Sequence, residues 1–208
     1  MQTIITYRLA ESKDEPSVLK LLREHFYTDE PLSKSQGYHD AADEQFAIGT
    51  IKFNTCTVAE CDGHIVGFRL AYPSNKDNQV AAAYSGRPNT AFEKLMGFVC
   101  ALERKSNVFA RYQVDTVMQG HMLCVHSDFR GKGIARRLYE ENMELAKQKG
   151  FPVYVCDCTS LFSARLCEKL GMEQTATMEF HEYCDENGKP YYSPEPPHDY
   201  ARSYAKRL

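Results

Sequence analysis

The chain has 208 residues, 43% hydrophobic and 25% charged, the composition of an ordinary globular domain, which excludes a disordered, collagen-like or membrane-spanning polymer. With 25 Lys and Arg against 28 Asp and Glu the net charge is -3. No global field therefore draws nucleic acid or an anionic membrane, and any anion must be held locally.

The first 15 residues place Arg8, Glu11, Lys13 and Asp14 where a secretory signal needs an unbroken apolar stretch, so the cytoplasm is the expected compartment. No apolar run approaches the length of a membrane span. Residues 15–26 carry Val18, Leu19, Leu22 and Phe26 at helical spacing with Pro16 in the first turn, and predict an amphipathic helix. Residues 58–60 and 65–70 flank Asp62-Gly63 and predict a hairpin closed by a tight turn. Helical spacing returns at 90–103. An apolar run at 120–125 and a polar loop at 127–130 lead to a helix over 134–149, with Leu138, Tyr139, Met143 and Leu145 on or near one side. Gly150 stops that helix, 153–156 reads as a strand, and 161–170 as a helix ended by Gly171. Residues 175–183 alternate as a strand, 185–188 form a turn, and 191–197 are Pro-rich and extended. Without a dividing linker, residues 1–208 predict one α/β domain, a central mixed sheet with helices on both faces.

Eight cysteines in a chain without an export signal predict reduced thiols packed as small hydrophobes. Cys56 and Cys61 with Cys156 and Cys158 can be drawn as a zinc set, but their spacings are not those of paired knuckles, and no metal is expected.

The most informative stretch is Met122-Leu-Cys-Val-His-Ser-Asp-Phe-Arg130-Gly-Lys-Gly-Ile-Ala135, a strand opening into a glycine-containing loop before a long helix. Unpaired amides at a helix N-terminus, with the positive end of its dipole, bind phosphate without a basic surface. Gly131 and Gly133 allow close backbone approach, and Arg130 and Lys132 add charge-assisted contacts. On local sequence alone the same letters also read as a surface turn. A dinucleotide fingerprint needs glycine or alanine where Arg136 stands, although Asp157 imitates its ribose-binding acid; a Gly-to-Gly-Lys-Ser/Thr loop is absent.

Arg-Gly-x-Gly-Ile-Ala after a strand resembles motif A of the GNAT N-acetyltransferases, whose loop amides hold the pyrophosphate of acetyl-CoA. The likeness continues in Tyr27-Thr-Asp29-Glu30-Pro31-Leu32, in Cys158-Thr-Ser-Leu-Phe-Ser163-Ala-Arg before Glu168-Lys-Leu-Gly171, and in Pro196-Pro-His198. These segments are similar to the insect arylalkylamine N-acetyltransferases, over nearly the whole chain, with 37–55 least alike. The resemblance implies a single acetyltransferase domain, acetyl-CoA as co-substrate, and a small aromatic amine of the dopamine, serotonin, octopamine or tyramine class as acceptor. It also implies direct transfer in a ternary complex by a monomer, with no metal and neither nucleic acid nor membrane as partner.

By motif match the general base is Glu30. A primary alkylamine with a pKa of about 10.4 is neutral in roughly one molecule per thousand at pH 7, and a carboxylate acting directly or through water takes the proton that blocks attack. On local sequence alone Glu30 also reads as a solvated acid at a proline-bounded turn. The family's pair of hydroxyls maps onto Ser163 and Thr159, the latter a serine in family members; Ser160 is an alternative, and Thr159 also reads as a helix cap. Cys167 stands where many acetyltransferases carry a general-acid tyrosine, which leaves the general acid open. Cys124 and Val125 are implied to line the acetyl-pantetheine arm through their backbone, where an amide stabilises the thioester oxyanion. Arg130, Gly131, Lys132, Gly133, Ile134 and Ala135 are implied around the pyrophosphate. Cys124 is expected to be core, not an acyl carrier. His121, His126 and His198 stay outside the catalytic list, and Phe26, Tyr27 and Tyr38 flank the Glu30 segment as candidate walls for an aryl ring. The alternatives are a CoA-binding module without catalysis, opposed by intact Glu30 and Ser163, and a nicotinamide oxidoreductase, opposed by Arg136.

Overall fold

The computed structural model describes residues 4–37, 39–77 and 87–208. Within them β1 (Thr6–Leu9), β2 (Thr57–Cys61), β3 (His64–Asn75), β4 (Thr116–Val125), β5 (Val153–Cys158), β6 (Glu173–Glu179) and β7 (Tyr200–Arg207) form one sheet in the order β1-β2-β3-β4-β5-β7-β6. β1 to β4 pair antiparallel, β4 and β5 run parallel, and β7 inserts antiparallel between β5 and β6. The helices are α1 (Glu15–Leu21), α2 (Pro31–Gln36), α3 (Ala41–Gly49), α4 (Ala91–Ser106), α5 (Val108–Tyr112), α6 (Ile134–Gln148) and α7 (Leu161–Lys169). On one face Val18, Leu22 and Ala47 pack onto Val58, Phe68 and Leu70, and α4 sets Phe98 and Leu102 against Met178 and Ala201. On the other, Tyr139, Met143 and Cys167 of α6 and α7 cover Met118, Tyr154 and Tyr204. This is the mixed α/β architecture that the sequence predicts. Among the described residues no helix is long and apolar enough to cross a membrane.

Several elements differ in extent. The helix expected over 15–26 is α-helical only to Leu21; Leu22–Phe26 is a π-helical turn, and the Tyr27 amide donates to the Leu22 carbonyl at 3.0 Å. The wider turn re-aims the chain beyond it, and with it Asp29-Glu30. β4 begins at Thr116 rather than at 120, because its polar first half still buries Val117 and Met118. β1, α2, α3 and β7 carry no strong period. β7 is internal to the sheet with small Ala201, Ser203 and Ala205 fully buried, a demand of packing that no run of large apolar residues announces.

The sheet opens between its parallel strands. Only Met118, Gln119 and Gly120 of β4 pair with β5, while β4 stays paired with β3 through Val125 and β5 with β7 through Cys158. From Arg69 to Ala71, β3 advances two residues while β4 advances three, from Leu123 to Gly120, so a bulge at His121-Met122 bends β4 away. Arg69 lies at the apex, 1% exposed. Its Nε donates to the Tyr154 hydroxyl at 2.9 Å and its guanidinium lies 4.2 Å from the Tyr139 ring centre. Gly120 provides the space: a Cβ there would overlap Arg69 Nη2 and come within 2.7 Å of the Tyr154 hydroxyl. Gly120→Ala is therefore expected to destabilise the fold by about 2–3 kcal/mol, as overpacking of a rigid core does. A urea midpoint unchanged from wild type would show that the apex yields.

On α4, the half-buried Glu103 lies near Asp157 of β5. Burial first, and then the charge of Asp157, push Glu103 up to about 8. Burial pushes Asp157 up to about 7 against the bonds from Ser203 and Gln119. Their ordinary values are 4.5 and 3.8, so between roughly pH 4 and pH 8 the folded state binds more protons than the unfolded chain. Stability then falls as pH rises through that window. Glu103→Gln should flatten the fall of Tm between pH 5 and pH 8.5; parallel Tm curves for the two proteins would assign the protons elsewhere.

Candidate functional site

β4 runs through a single turn, Ser127–Phe129, into Arg130-Gly-Lys-Gly133 and α6. Gly133 is the N-cap at φ 79°, left-handed backbone that a Cβ disfavours, and neither Gly131 nor Gly133 would place a Cβ within 4 Å of another group. The outer side of the loop is open. No side chain caps α6, and among the described residues no acceptor takes the amides of 131–136. Those donors and the helix dipole form a cradle that fits a pyrophosphate. Ile134 is buried beside Val66, Val125 and Leu138, with Ala135 packed against that cluster, so both offer backbone rather than side chain.

The basic side chains of the loop are already engaged. Arg130 Nε donates to the Val125 carbonyl at 3.1 Å, Nη1 pairs with Asp29 at 2.6 Å and Nη2 donates to the His25 carbonyl at 3.1 Å. Arg130 is thus a strut between the loop and the segment after α1. Lys132 Nζ bends back to the Asp128 carbonyl at 3.0 Å, over the Phe129 ring. The Cys124 thiol is buried and donates to the Leu21 carbonyl at 3.7 Å, and burial pushes its pKa up to about 12. The neutral thiol is the form present at pH 7, a poor nucleophile.

Glu30 is the N-cap of α2. Its Oε2 accepts the Ser33 amide at 2.6 Å and the Ser33 hydroxyl at 2.7 Å, and its Oε1 accepts the Leu32 amide at 3.1 Å. The fourth donor arrives from across the molecule: the Thr159 hydroxyl, just past β5, at 2.8 Å. Adjacent residues therefore reach the two sides of the opened sheet, Asp29 to the loop after β4 and Glu30 to the end of β5.

Ser160, not Thr159, is the N-cap of α7, because its hydroxyl accepts the Ser163 amide at 3.1 Å while Thr159 turns toward Glu30. The Ser163 hydroxyl donates to the Ser160 carbonyl at 2.9 Å. His198, from the C-terminal segment, accepts the Leu161 amide on Nδ1 at 3.2 Å; burial lowers its pKa, and the nearby Glu30 charge opposes that shift. Periodicity carried no signal for Ser33, His198 or the Asp29–Arg130 pair, although Pro31 at the start of α2 and Gly37 after it mark a helix that Glu30 would cap.

The aromatic lining differs from the expected one. Phe26 packs against the α1 core and Tyr27 is buried, stacked on His39 with ring centres 4.2 Å apart, while Tyr38 lies outside the described residues. Phe46 of α3 instead meets Phe92 at 6.0 Å, Tyr72 at 5.6 Å and His121 at 5.1 Å. Burial, then the Arg69 charge, lowers His121 to about 4, so this ring of the β4 bulge is neutral. The four cysteines drawn from sequence do not assemble, since Cys56 Sγ sits 3.4 Å from Thr50 Oγ1 and Cys61 beside Asp62. Cys156, Cys158 and Cys167 do cluster, their sulfurs within 4.8 Å of one another and all buried.

Residues 17–172 match the acetyltransferase (GNAT) family. The chain is similar to a Drosophila melanogaster polyamine N-acetyltransferase that catalyses the formation of N-acetylagmatine, at 27% identity and TM-score 0.90, covering 99% of this chain and 100% of that one. It is similar to arylalkylamine N-acetyltransferase 2 of Aedes aegypti at 30% identity and TM-score 0.89, covering 98% of each. It is also similar to a mosquito arylalkylamine N-acetyltransferase-like 5b, at 27% identity and TM-score 0.90, over 99% of this chain and 100% of that one.

Gly133→Val places a branched side chain where the pyrophosphate would approach and should weaken acetyl-CoA binding at least tenfold by calorimetry. The control is Gly150→Val at the far end of α6, also at positive φ (82°) with open space around it. It carries a comparable backbone cost, about 1–2 kcal/mol, and should bind normally. Equal affinities in the two variants would remove the loop from the cofactor site.

Proposed function

The chain belongs to the GNAT acetyltransferase family, and from that premise we propose that it transfers the acetyl group of acetyl-CoA to the primary amine of a small arylalkylamine, by direct attack in a ternary complex. The observation that carries this reading is the Thr159–Glu30 hydrogen bond of 2.8 Å, which sets a carboxylate and a hydroxyl at the mouth of the opened sheet. The free amides of 131–136 hold the pyrophosphate on the β4 side. The backbone of Cys124 and Val125 lies along the unpaired end of β4, where the acetyl-pantetheine arm fits, and an amide there stabilises the oxyanion.

A carboxylate has about four acceptor positions, and four donors already fill those of Glu30. Only the two hydroxyls among them exchange easily. Thr159 keeps acceptor capacity on its own oxygen, so the ammonium proton passes to Thr159 as the Thr159 proton passes to Glu30. The neutral nitrogen attacks the thioester carbon, the carbon–sulfur bond breaks with its electron pair going to sulfur, and the second proton shed by the acylated nitrogen ends on the departing CoA thiolate as its thiol. We assign Ser163, fixed at the first turn of α7, to that thiolate. The ring cluster of Phe46, Phe92, Tyr72 and neutral His121 supports an aryl acceptor. The reading includes a monomer working in the cytoplasm.

Thiol release from acetyl-CoA across a panel of amines tests the activity, and an inert protein that still binds acetyl-CoA would make it a binding module. Glu30→Gln keeps the shape and loses the base, so kcat/KM at pH 7 should fall by roughly 10²–10⁴ with acetyl-CoA affinity unchanged. The deficit should shrink toward pH ~10, where the free amine is abundant. Wild-type turnover at pH 7 would take Glu30 out of the mechanism, and a loss confined to amine KM would recast it as a cation-binding residue.

A further inference from the structure

Three carboxylates, Asp40, Asp43 and Glu44, lie at the N-terminal end of α3, and two have evident tasks. Asp40 caps α3 through the Ala42 amide at 3.0 Å and accepts the Phe92 amide at 3.4 Å. Glu44 accepts Arg23 at 2.8 and 2.7 Å and pairs with His39 at 2.8 Å. Asp43 has no such task. It is 4% exposed, and its buried Oδ1 meets no hydrogen-bond partner among the described residues. The buried Tyr27 hydroxyl is a neighbouring donor that acts on the Asp43 carboxyl as a weak hydrogen bond does, although neither Tyr27 Oη nor Asp43 Oδ1 has a partner in close hydrogen-bond geometry among the described residues. A carboxylate so placed is costly until a donor meets it.

The surroundings show where such a donor would come from. Asp43 lines an open recess between α2, α3 and α4. Its wall starts at Leu32 and Ser33, whose hydroxyl is bonded to Glu30, and continues past Phe92 and Leu95 to Tyr192. Burial raises the Asp43 pKa to about 6 against the Tyr27 hydroxyl, with the Glu30 charge adding to the rise, so the group stands within the field of Glu30. The recess thus has Ser33, bonded to Glu30, at one end, an apolar wall, and the buried carboxylate of Asp43.

On the amine-acceptor reading, on which this rests, we infer that Asp43 binds the far end of the acceptor, an N–H or O–H donor opposite the nitrogen that is acetylated. A ring hydroxyl of a phenolic amine or the guanidinium of an agmatine-like amine supplies that chemistry; an aryl or alkyl amine without a distal donor leaves the carboxylate unpaired. A site built around a buried acceptor discriminates against analogues that lack the matching donor. Asp43 is then the residue that sets specificity, and Glu30 the residue that takes the proton.

The test measures kcat and KM with saturating acetyl-CoA for tyramine against phenethylamine and agmatine against butylamine, in wild type, Asp43→Asn and Asp43→Ser. Wild type should favour the donor-bearing amine at least tenfold in kcat/KM in at least one pair, mainly through KM, and both variants should bring that ratio toward one. The pair with the larger ratio identifies the donor as hydroxyl or cation. Ratios near one in wild type overturn the assignment even if neither variant folds, as does a ratio that survives in a folded variant. A lower kcat for all four amines at an unchanged ratio makes Asp43 structural and also overturns it. No turnover of any amine by wild type overturns the acceptor reading itself and this assignment with it.

Discussion

The divergence of two parallel strands is the constraint on which the site depends. A parallel pair normally continues its hydrogen bonds to the strand ends, and here it stops after three residues because β4 takes an extra one at His121-Met122. The bulge leaves the end of β4 with one bonding edge unused and leaves the sheet open above its core. Arg69 occupies the apex, lying against Tyr139 and bonded to Tyr154, and it can do so because Gly120 has no side chain. An arginine cannot shed its charge, so burying one at this point is costly. The surrounding aromatic faces and hydroxyl offset part of that cost.

An open sheet becomes a site only when something spans it. The π turn after α1 performs this by delivering Asp29-Glu30 across the gap. Asp29 ties Arg130 on the β4 side and Glu30 receives Thr159 on the β5 side, so two neighbouring carboxylates fix the same dipeptide from opposite directions. The exposed Asp29–Arg130 pair is worth at most about 1 kcal/mol by itself. Its importance is geometric, since the Arg130 side chain also holds the Val125 and His25 carbonyls and so fixes the loop that presents the amides. An anion at this loop would be met by backbone donors and a helix dipole, consistent with a chain of net charge -3.

The proposed acceptor side is built by a different rule. Rings from α3, α4, β3 and the β4 bulge meet beside the carboxylates of α3, and Asp40 and Glu44 among those are already bonded. The hydroxyl of Thr159 is both bonded and exchangeable, which suits a proton relay. Asp43 is buried, and its Oδ1 has no close hydrogen-bond partner among the described residues, which suits recognition.

Much of this was legible in the letters. The Asp62-Gly63 hairpin, the α6 stripe and the Gly-x-Gly loop before it are local signals, each carried by a turn residue or a period, and a helix N-terminus makes an anion cradle wherever it occurs. Glu30, Thr159 and Ser163 were named through a motif likeness, because no local property separates a catalytic glutamate from a solvated one. The sequence by itself determined the α/β class and the open Gly-x-Gly loop before α6, since both depend on neighbours within a few residues. Only the tertiary structure decided that Arg130 is a strut, that Ser160 rather than Thr159 caps α7, that β7 is internal, and that Phe46, Phe92 and His121 share one wall. Those outcomes depend on partners some 30 to 130 positions away, such as Glu30 for Thr159 at a separation of 129, and a long-range contact is set by how the whole sheet twists and opens, which no short window of sequence contains.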